Sequence, residues 1–364
     1  MGGAGAAGYR AGGALPLTSE AQRVIFDNQH PTDCSAAKYL VFGNPTSGLG
    51  SILHQLTVGL ALAVDSGRVF IEANGSGWAD GVYCKNSPRS ITGCYMEPAA
   101  GCAPSAAQLA AAVAVAPGGP QMAAASGPTV VRLDMSSSFA KRTLVPKQLL
   151  SKLKDLPILE KHRHYWWRAQ GIAYLVRPSQ RTLAALAQRE RSLLRGRPPA
   201  PGCVSLYVRR GDKAIEAPVF SDEEYANLTR RLVEEDPSLR RQVFLSTEDA
   251  GTIKYFTTQF GSLTPPAGPG GWEVSHLDIP TWRNMQALLA QSFRDGSADT
   301  APALNSLLAL DLAARCDGYV ASIYSNWARL IDELRSTVRC KGGAAYLDLH
   351  YNGEDAEKID FNWR

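Results

Sequence analysis

Residues 38–72 leave this chain few folds to choose from. Lys38 to Phe42 reads as a short apolar strand, followed by the loop Gly43-Asn44-Pro45-Thr46-Ser47-Gly48-Leu49-Gly50. Ile52, Leu53, Leu56, Leu60 and Val64 then recur at helical spacing on one broad face. Ser66-Gly67 stops that helix, and Arg68 to Glu72 reads as a second strand. A strand, a crossing helix and a strand in this order make a parallel pair, which argues for an α/β layer architecture.

The same rhythm returns after Arg195-Gly196-Arg197-Pro198-Pro199-Ala200-Pro201-Gly202, the strongest linker signal in the chain. Beyond it, strands are expected over 204–208, 242–245, 318–321 and 346–349. Helices are expected over 222–235, 251–260, 302–316 and 325–334. Before it, Trp78 to Thr129 reads as loop, and helices are expected over 149–177, broken at Pro157, and 182–194. With 364 residues, two domains fit comfortably. The expected division is a flexible Gly/Ala-rich leader over 1–29, an N-terminal α/β domain over 30–196 and a C-terminal Rossmann-like domain over 203–364.

Composition removes several functions. Thirty-eight basic against 34 acidic residues give a net charge of +4, which is no footprint for coating nucleic acid. No run of about 18 apolar residues is read as a membrane span, and no export signal or anchor is read at the N-terminus. The seven cysteines (Cys34, Cys84, Cys94, Cys102, Cys203, Cys316 and Cys340) form no zinc spacing. The histidines show no ligand spacing, and His162 and His164 are placed on a solvated face. No Asp-x-Asp pair occurs, which disfavours a metal-held sugar nucleotide. Two acceptor sequons, Asn74-Gly75-Ser76 and Asn227-Leu228-Thr229, suit a secretory lumen.

Ligands of open α/β sheets bind beyond the carboxyl ends of the strands, so the residues after each strand matter most. Val204–Val208 leads into Arg209-Arg210-Gly211-Asp212-Lys213, and the strand at 242–245 into Ser246-Thr247-Glu248-Asp249. The strand at 318–321 leads into Ser322-Ile323-Tyr324-Ser325-Asn326 at a helix start. Paired guanidinium groups and a hydroxyl-bearing helix N-terminus suit a diphosphate. Surface ion pairs for the arginines and a simple cap for Ser325 are the competing reading. Asp212 and Glu216 are both placed to act as a general base. The loop at 43–50 fails both phosphate-loop tests, with Leu49 and Gly50 where Lys and Ser/Thr belong and Leu53 in place of a third glycine. Trp166-Trp167 reads as core more readily than as a sugar platform, and Arg210-Gly211-Asp212 is too close to a buried strand for adhesion.

Val204-Ser205-Leu206-Tyr207-Val208-Arg209-Arg210-Gly211-Asp212-Lys213 resembles the donor motif of the alpha-1,6-fucosyltransferases. Asp33-Cys34-Ser35-Ala36-Ala37-Lys38, Trp166-Trp167 with Gln170 and Tyr174 to Pro178, Ser246 to Asp249, and Cys316-Asp317 to Asn326 resemble further family segments in order. The resemblance implies a GT-B-like fold of two Rossmann-like domains facing a cleft. It also implies GDP-fucose as donor, a glycan acceptor, no metal or other cofactor, inversion at the fucose carbon, and a Golgi or secretory lumen. By motif, Arg209 holds the β-phosphate with Arg210 in support, and Ser325 and Asn326 meet the diphosphate. Asp311 reads the guanine, and Tyr207, Gly48 and Gly50 complete the donor side. Glu216 is the base, with Lys213 and Asp212 beside it, and Glu248, Asp249 and Tyr225 support the site. The family has His at the position of Tyr207, Gln at that of Asn326, and its acid one residue further from Lys213 than Glu216. Two other readings stay open: a catalytically weakened relative that binds nucleotide sugar or glycan, and a GT-B enzyme using another nucleotide sugar. In an oxidising lumen, Cys34 is expected to pair within the 84–102 cluster.

Overall fold

The computed structural model describes residues 13–43, 47–79, 82–116, 120–134, 144–156, 162–210, 219–260, 271–279 and 302–349. The described residues form two compact units, 15–182 and 183–349, the second joined by Gly13 and Ala14.

The N-terminal unit is built on β1 (Tyr39–Gly43), β2 (Val69–Glu72), β3 (Val113–Ala114) and β4 (Val130–Asp134). Their order is β2-β1-β4-β3, and every pair is parallel. All five residues of β1 are buried, as a central parallel strand covered on both faces requires. The helix Leu49–Ser66 crosses from β1 to β2 and buries most of its length. At Gly59 a Cβ would lie 2.7 Å from the rings of Phe42 and Phe70, so only glycine lets the helix approach so closely.

Several expectations for this unit need correction. The helix Leu49–Ser66 is, by length and composition, apolar enough to cross a membrane, and 72% of it is buried inside the protein. Gly50, Ser51, His54, Gln55, Thr57 and Gly59 interrupt its apolar residues, so it does not read as a continuous run. The expected leader contains the helix Thr18–Gln29, which buries Ala21, Ile25 and Gln29; the Gln29 amide bridges the Phe70 and Ala99 carbonyls. His162 and His164 are buried, and the strand β4 lies where no element was expected. Trp166 and Trp167 are wholly buried, their indole N–H groups donating to the Pro16 and Thr57 carbonyls at 2.7 and 3.0 Å. They are core residues.

The C-terminal unit carries β5 (Leu194–Arg195), β6 (Val204–Val208), β7 (Gln242–Thr247), β8 (Glu273–Leu277), β9 (Gly318–Ala321) and β10 (Tyr346–Asp348). The order is β10-β9-β6-β7-β8-β5, parallel except for the edge strand β5. The Pro/Gly segment 195–202 joins β5 to β6 within this one sheet, and the two units divide between Thr182 and Leu183, inside the helix Gln180–Leu193. Pro-rich composition marks an irregular connection, and here that connection is internal. β8 was not expected, because its alternating Glu-Val-Ser-His-Leu sequence lacks the apolar run of its neighbours. The helix Asp222–Glu235 is closed at its start by a Ser221–Glu224 capping box.

Three disulfides staple the units internally. Cys34–Cys102 and Cys84–Cys94 lie in the first, the former pairing Cys34 with its expected cluster, and Cys203–Cys316 ties the starts of β6 and β9 in the second. Cys340 is exposed and free.

Candidate active site

Register decides which strand ends meet. Val208 lies opposite Thr247 in the β6–β7 pair, so the next residues, Arg209 and Glu248, leave the sheet side by side. Arg209 Nη1 donates to Glu248 Oε1, and the same oxygen accepts the backbone N–H of Arg210 at 2.7 Å. Glu248 therefore fixes both the first guanidinium and the turn that carries it.

Arg210 is held by other partners. Its guanidinium donates to the Phe220 carbonyl and to Asp222 Oδ1, and lies 5.6 Å from the Tyr225 ring centroid. Asp222 opens the helix Asp222–Glu235 and also accepts from Thr252 Oγ1 at 2.9 Å. The Arg210 side chain is 15% exposed and that of Arg209 28%, so Arg209 is the more accessible cation and Arg210 the anchored one.

On the opposite side of β6 runs β9, whose exit is tied back to the same centre. Ser325 Oγ lies 3.5 Å from the Tyr207 hydroxyl and accepts the Trp327 N–H at 3.3 Å, capping the helix Asn326–Ser336. Burial, with the Glu248 carboxylate adding to it, pushes the Tyr207 phenol up. Burial does the same for Tyr225, against the pull of Arg210. Both phenols therefore stay protonated at neutral pH. A guanidinium, a hydroxyl and the N-terminus of an eleven-residue helix thus gather at adjacent strand ends, a set of donors suited to an anion.

One residue of this cluster escaped the sequence reading. Asp348, 4% exposed at the carboxyl end of β10, accepts the Ile323 N–H at 2.8 Å and the Tyr346 hydroxyl. It holds the loop between β9 and Ser325. The available signal was an acid closing the last apolar strand.

The remaining candidates divide clearly. Asp249 caps the short helix Ala250–Lys254, its Oδ1 accepting from Thr252 N at 2.8 Å. Asn326 begins the helix after Ser325, and its Oδ1 accepts from Arg329. Asp311 is not brought to the cluster. Its helix, Pro302–Arg315, runs down to the start of β9, so Asp311 sits towards the amino edge of the sheet. There it pairs with Arg315 and Arg339, and Arg315 also pairs with Glu190. Gly48 and Gly50 belong to the N-terminal unit, where Gly48 is the N-cap of Leu49–Ser66 with an ordinary φ of -62° and Gly50 is buried in its first turn. Asp212, Lys213 and Glu216 lie outside the described residues.

An open parallel sheet covered by helices, with cation, acid and helix N-terminus at neighbouring strand ends, defines a Rossmann-like α/β protein with a strand-end site. The profile of the family described as Alpha-(1,6)-fucosyltransferase N- and catalytic domains matches residues 3–264. The chain belongs to that family. The Alpha-(1,6)-fucosyltransferase of Drosophila melanogaster is 29% identical over 250 residues, covering 66% of this chain and 37% of the fly protein. The chain thus spans little more than a third of that relative's length. Among solved structures, a mutant of Arabidopsis thaliana FUT1 in complex with GDP is 12% identical, with a TM-score of 0.48 over 88% of this chain and 73% of that one. The fucosyltransferase NodZ from Bradyrhizobium is 11% identical, with a TM-score of 0.44 over 81% and 92%. The family assignment rests on the profile match.

Proposed function

We propose that this protein transfers fucose from GDP-fucose to a hydroxyl group of a glycan, with inversion at the fucose anomeric carbon and without a metal. The observation that carries the reading is the Glu248-held Arg209 beside the Ser325-capped helix, in a chain of the fucosyltransferase family. As the bond from fucose to GDP breaks, negative charge builds on the diphosphate and positive charge on the sugar ring. Arg209 and the N-terminus of the helix Asn326–Ser336 meet the first of these charges. Arg210, bound to Phe220 and Asp222, keeps the turn in place. Glu216 takes the proton of the attacking hydroxyl, with Lys213 and Asp212 beside it, a role that comes from the family motif. A Golgi or secretory lumen fits the three disulfides, since such bonds persist in oxidising compartments.

The test is a screen of GDP-, UDP- and ADP-sugars against a glycan array, read as released nucleotide and fucosylated product. Product is expected from GDP-fucose alone. Glu216→Gln should lower the rate on the order of 10²–10⁴-fold and leave GDP affinity intact. Product from a UDP- or ADP-sugar would favour an enzyme with another donor, and GDP binding without any product a binding relative.

A second expectation concerns Asp348. Asp348→Ala strands the buried Ile323 N–H and loosens the loop before Ser325, so GDP affinity should fall on the order of tenfold by calorimetric titration. Asp348→Asn keeps an acceptor oxygen and should retain most of the affinity.

A further inference from the structure

The function proposed above uses neither acceptor sequon, and the two sit in very different surroundings. Asn227-Leu228-Thr229 lies within the helix Asp222–Glu235, and each of its residues has a task in the fold. Leu228 and Thr229 are buried, Thr229 Oγ1 donates to the Tyr225 carbonyl at 2.8 Å, and Asn227 Oδ1 accepts from Arg230 at 2.8 Å. Helix packing accounts for that triplet.

Asn74-Gly75-Ser76 follows β2 in a turn that exposes Asn74 and Gly75 and buries Ser76. Gly75 takes a φ of +102°, the left-handed side that favours glycine, and faces open space. The N–H groups of Gly75 and Ser76 both donate to the Arg89 carbonyl, at 2.7 and 3.0 Å, and Ser76 Oγ accepts the Trp78 N–H at 3.3 Å, so backbone and Ser76 hold the turn while Asn74 takes no part. The Asn74 side chain is exposed and makes no hydrogen bond with the described residues, so the fold gives no reason for an asparagine there. Three disulfides in two units independently mark a chain that folds in an oxidising lumen, where such triplets meet the glycosylation machinery.

We propose that Asn74 carries an N-linked glycan. The co-reactant is a lipid-diphosphate-linked oligosaccharide. The Asn74 amide nitrogen forms a bond to the sugar C1, the C1–O bond to the diphosphate breaks, and the lipid diphosphate leaves with the electron pair while the amide loses one proton. Asn74 itself is exposed, so a glycan on it displaces no packed side chain.

The test uses the full chain, exported from a eukaryotic host and analysed by peptide mass spectrometry before and after enzymatic deglycosylation in ¹⁸O water. The expected result is a glycopeptide at Asn74 that becomes ¹⁸O-labelled aspartate. Its glycan should be lost in Asn74→Gln and kept in Asn227→Gln. Ser76→Thr preserves the triplet and should keep the glycan, which separates acceptor loss from damage to the turn. Thiol labelling should find one reactive cysteine before reduction and seven after. Unmodified Asn74 in the exported chain, a glycan lost only in Asn227→Gln, or seven reactive thiols without reductant would each overturn the proposal. None of these readouts depends on fucose transfer.

Discussion

Arg209→Ala is expected to lower kcat/KM for fucose transfer on the order of 10²–10³-fold and to weaken GDP binding, with little change in Tm. The magnitude is that of removing one preorganised charge donor from a developing anion. Tm should hold because Arg209 is the more exposed arginine, while the turn itself is kept by the Arg210 N–H on Glu248 and the Arg210 guanidinium on Phe220 and Asp222. Arg210→Ala should do the reverse in proportion. It strips Asp222 and the Phe220 carbonyl of a cation and removes the guanidinium from Tyr225, so Tm should fall together with activity. Arg209→Lys should not restore the rate, since a single ammonium cannot reproduce a planar two-pronged donor. Paired calorimetric titration with GDP and thermal melts separate the two arginines. Equal GDP affinity in Arg209→Ala and wild type would refute the assignment.

The largest stability loss is expected in the other unit, from Arg68→Met. Arg68 stands just before β2, fully buried, and its guanidinium donates to backbone carbonyls only. Nε meets Met122 at 2.6 Å, Nη1 reaches Tyr39, Pro128 and Thr129, and Nη2 reaches Gln121 and Ala123. Burial pulls its pKa down from the usual arginine value, but arginine remains charged throughout the physiological range. The cage holds the segment 121–129 against the edge of β1, and Gly127 is required there because a Cβ would lie 2.6 Å from Nη2. Methionine fills the volume and takes the guanidinium from the Gln121, Met122 and Pro128 carbonyls, while the Thr129 and Ala123 carbonyls keep the N–H groups of Tyr39 and Gly127. Each buried orphan costs about 1–3 kcal/mol, so with three carbonyls losing their guanidinium donor and some local relaxation a total loss of roughly 3–5 kcal/mol is expected by urea denaturation. Lysine should rescue little, having a single nitrogen to serve groups spread around a plane.

Much of the architecture could be read along the chain. The helix Asp222–Glu235 is visible as an amphipathic stretch behind Ser221, and its boundaries agree with those observed. β6 and β9 stand out as apolar runs whose positions are all buried. β4 and β8 did not, for a physical reason. β4 is interrupted by Arg132 and β8 by Ser275 and His276, and what makes them strands is pairing with β1 and β7, distant in sequence. Asp311 shows how placement depends on the fold. Position along a helix is legible in sequence, but which edge of the sheet that position faces depends on the helix's direction. That direction carries Asp311 to the Arg315–Arg339 cluster.

What the sequence determined by itself is local. It set the strand–helix alternation, and with it a parallel α/β protein, and it placed Arg209-Arg210, Glu248 and Ser325 each just past a strand. Such features follow from periodicity and from the chemistry of neighbouring residues. The tertiary structure decided which of those residues meet. The strand order places β6 between β9 and β7, and the register sets Val208 against Thr247. Arg209 therefore finds Glu248 on one side, and Tyr207 finds Ser325 on the other. Asp348 joined the cluster only because β10 pairs with β9. Pairing between strands tens of residues apart is settled by burial of the whole sheet, a non-local quantity that no single stretch of sequence contains.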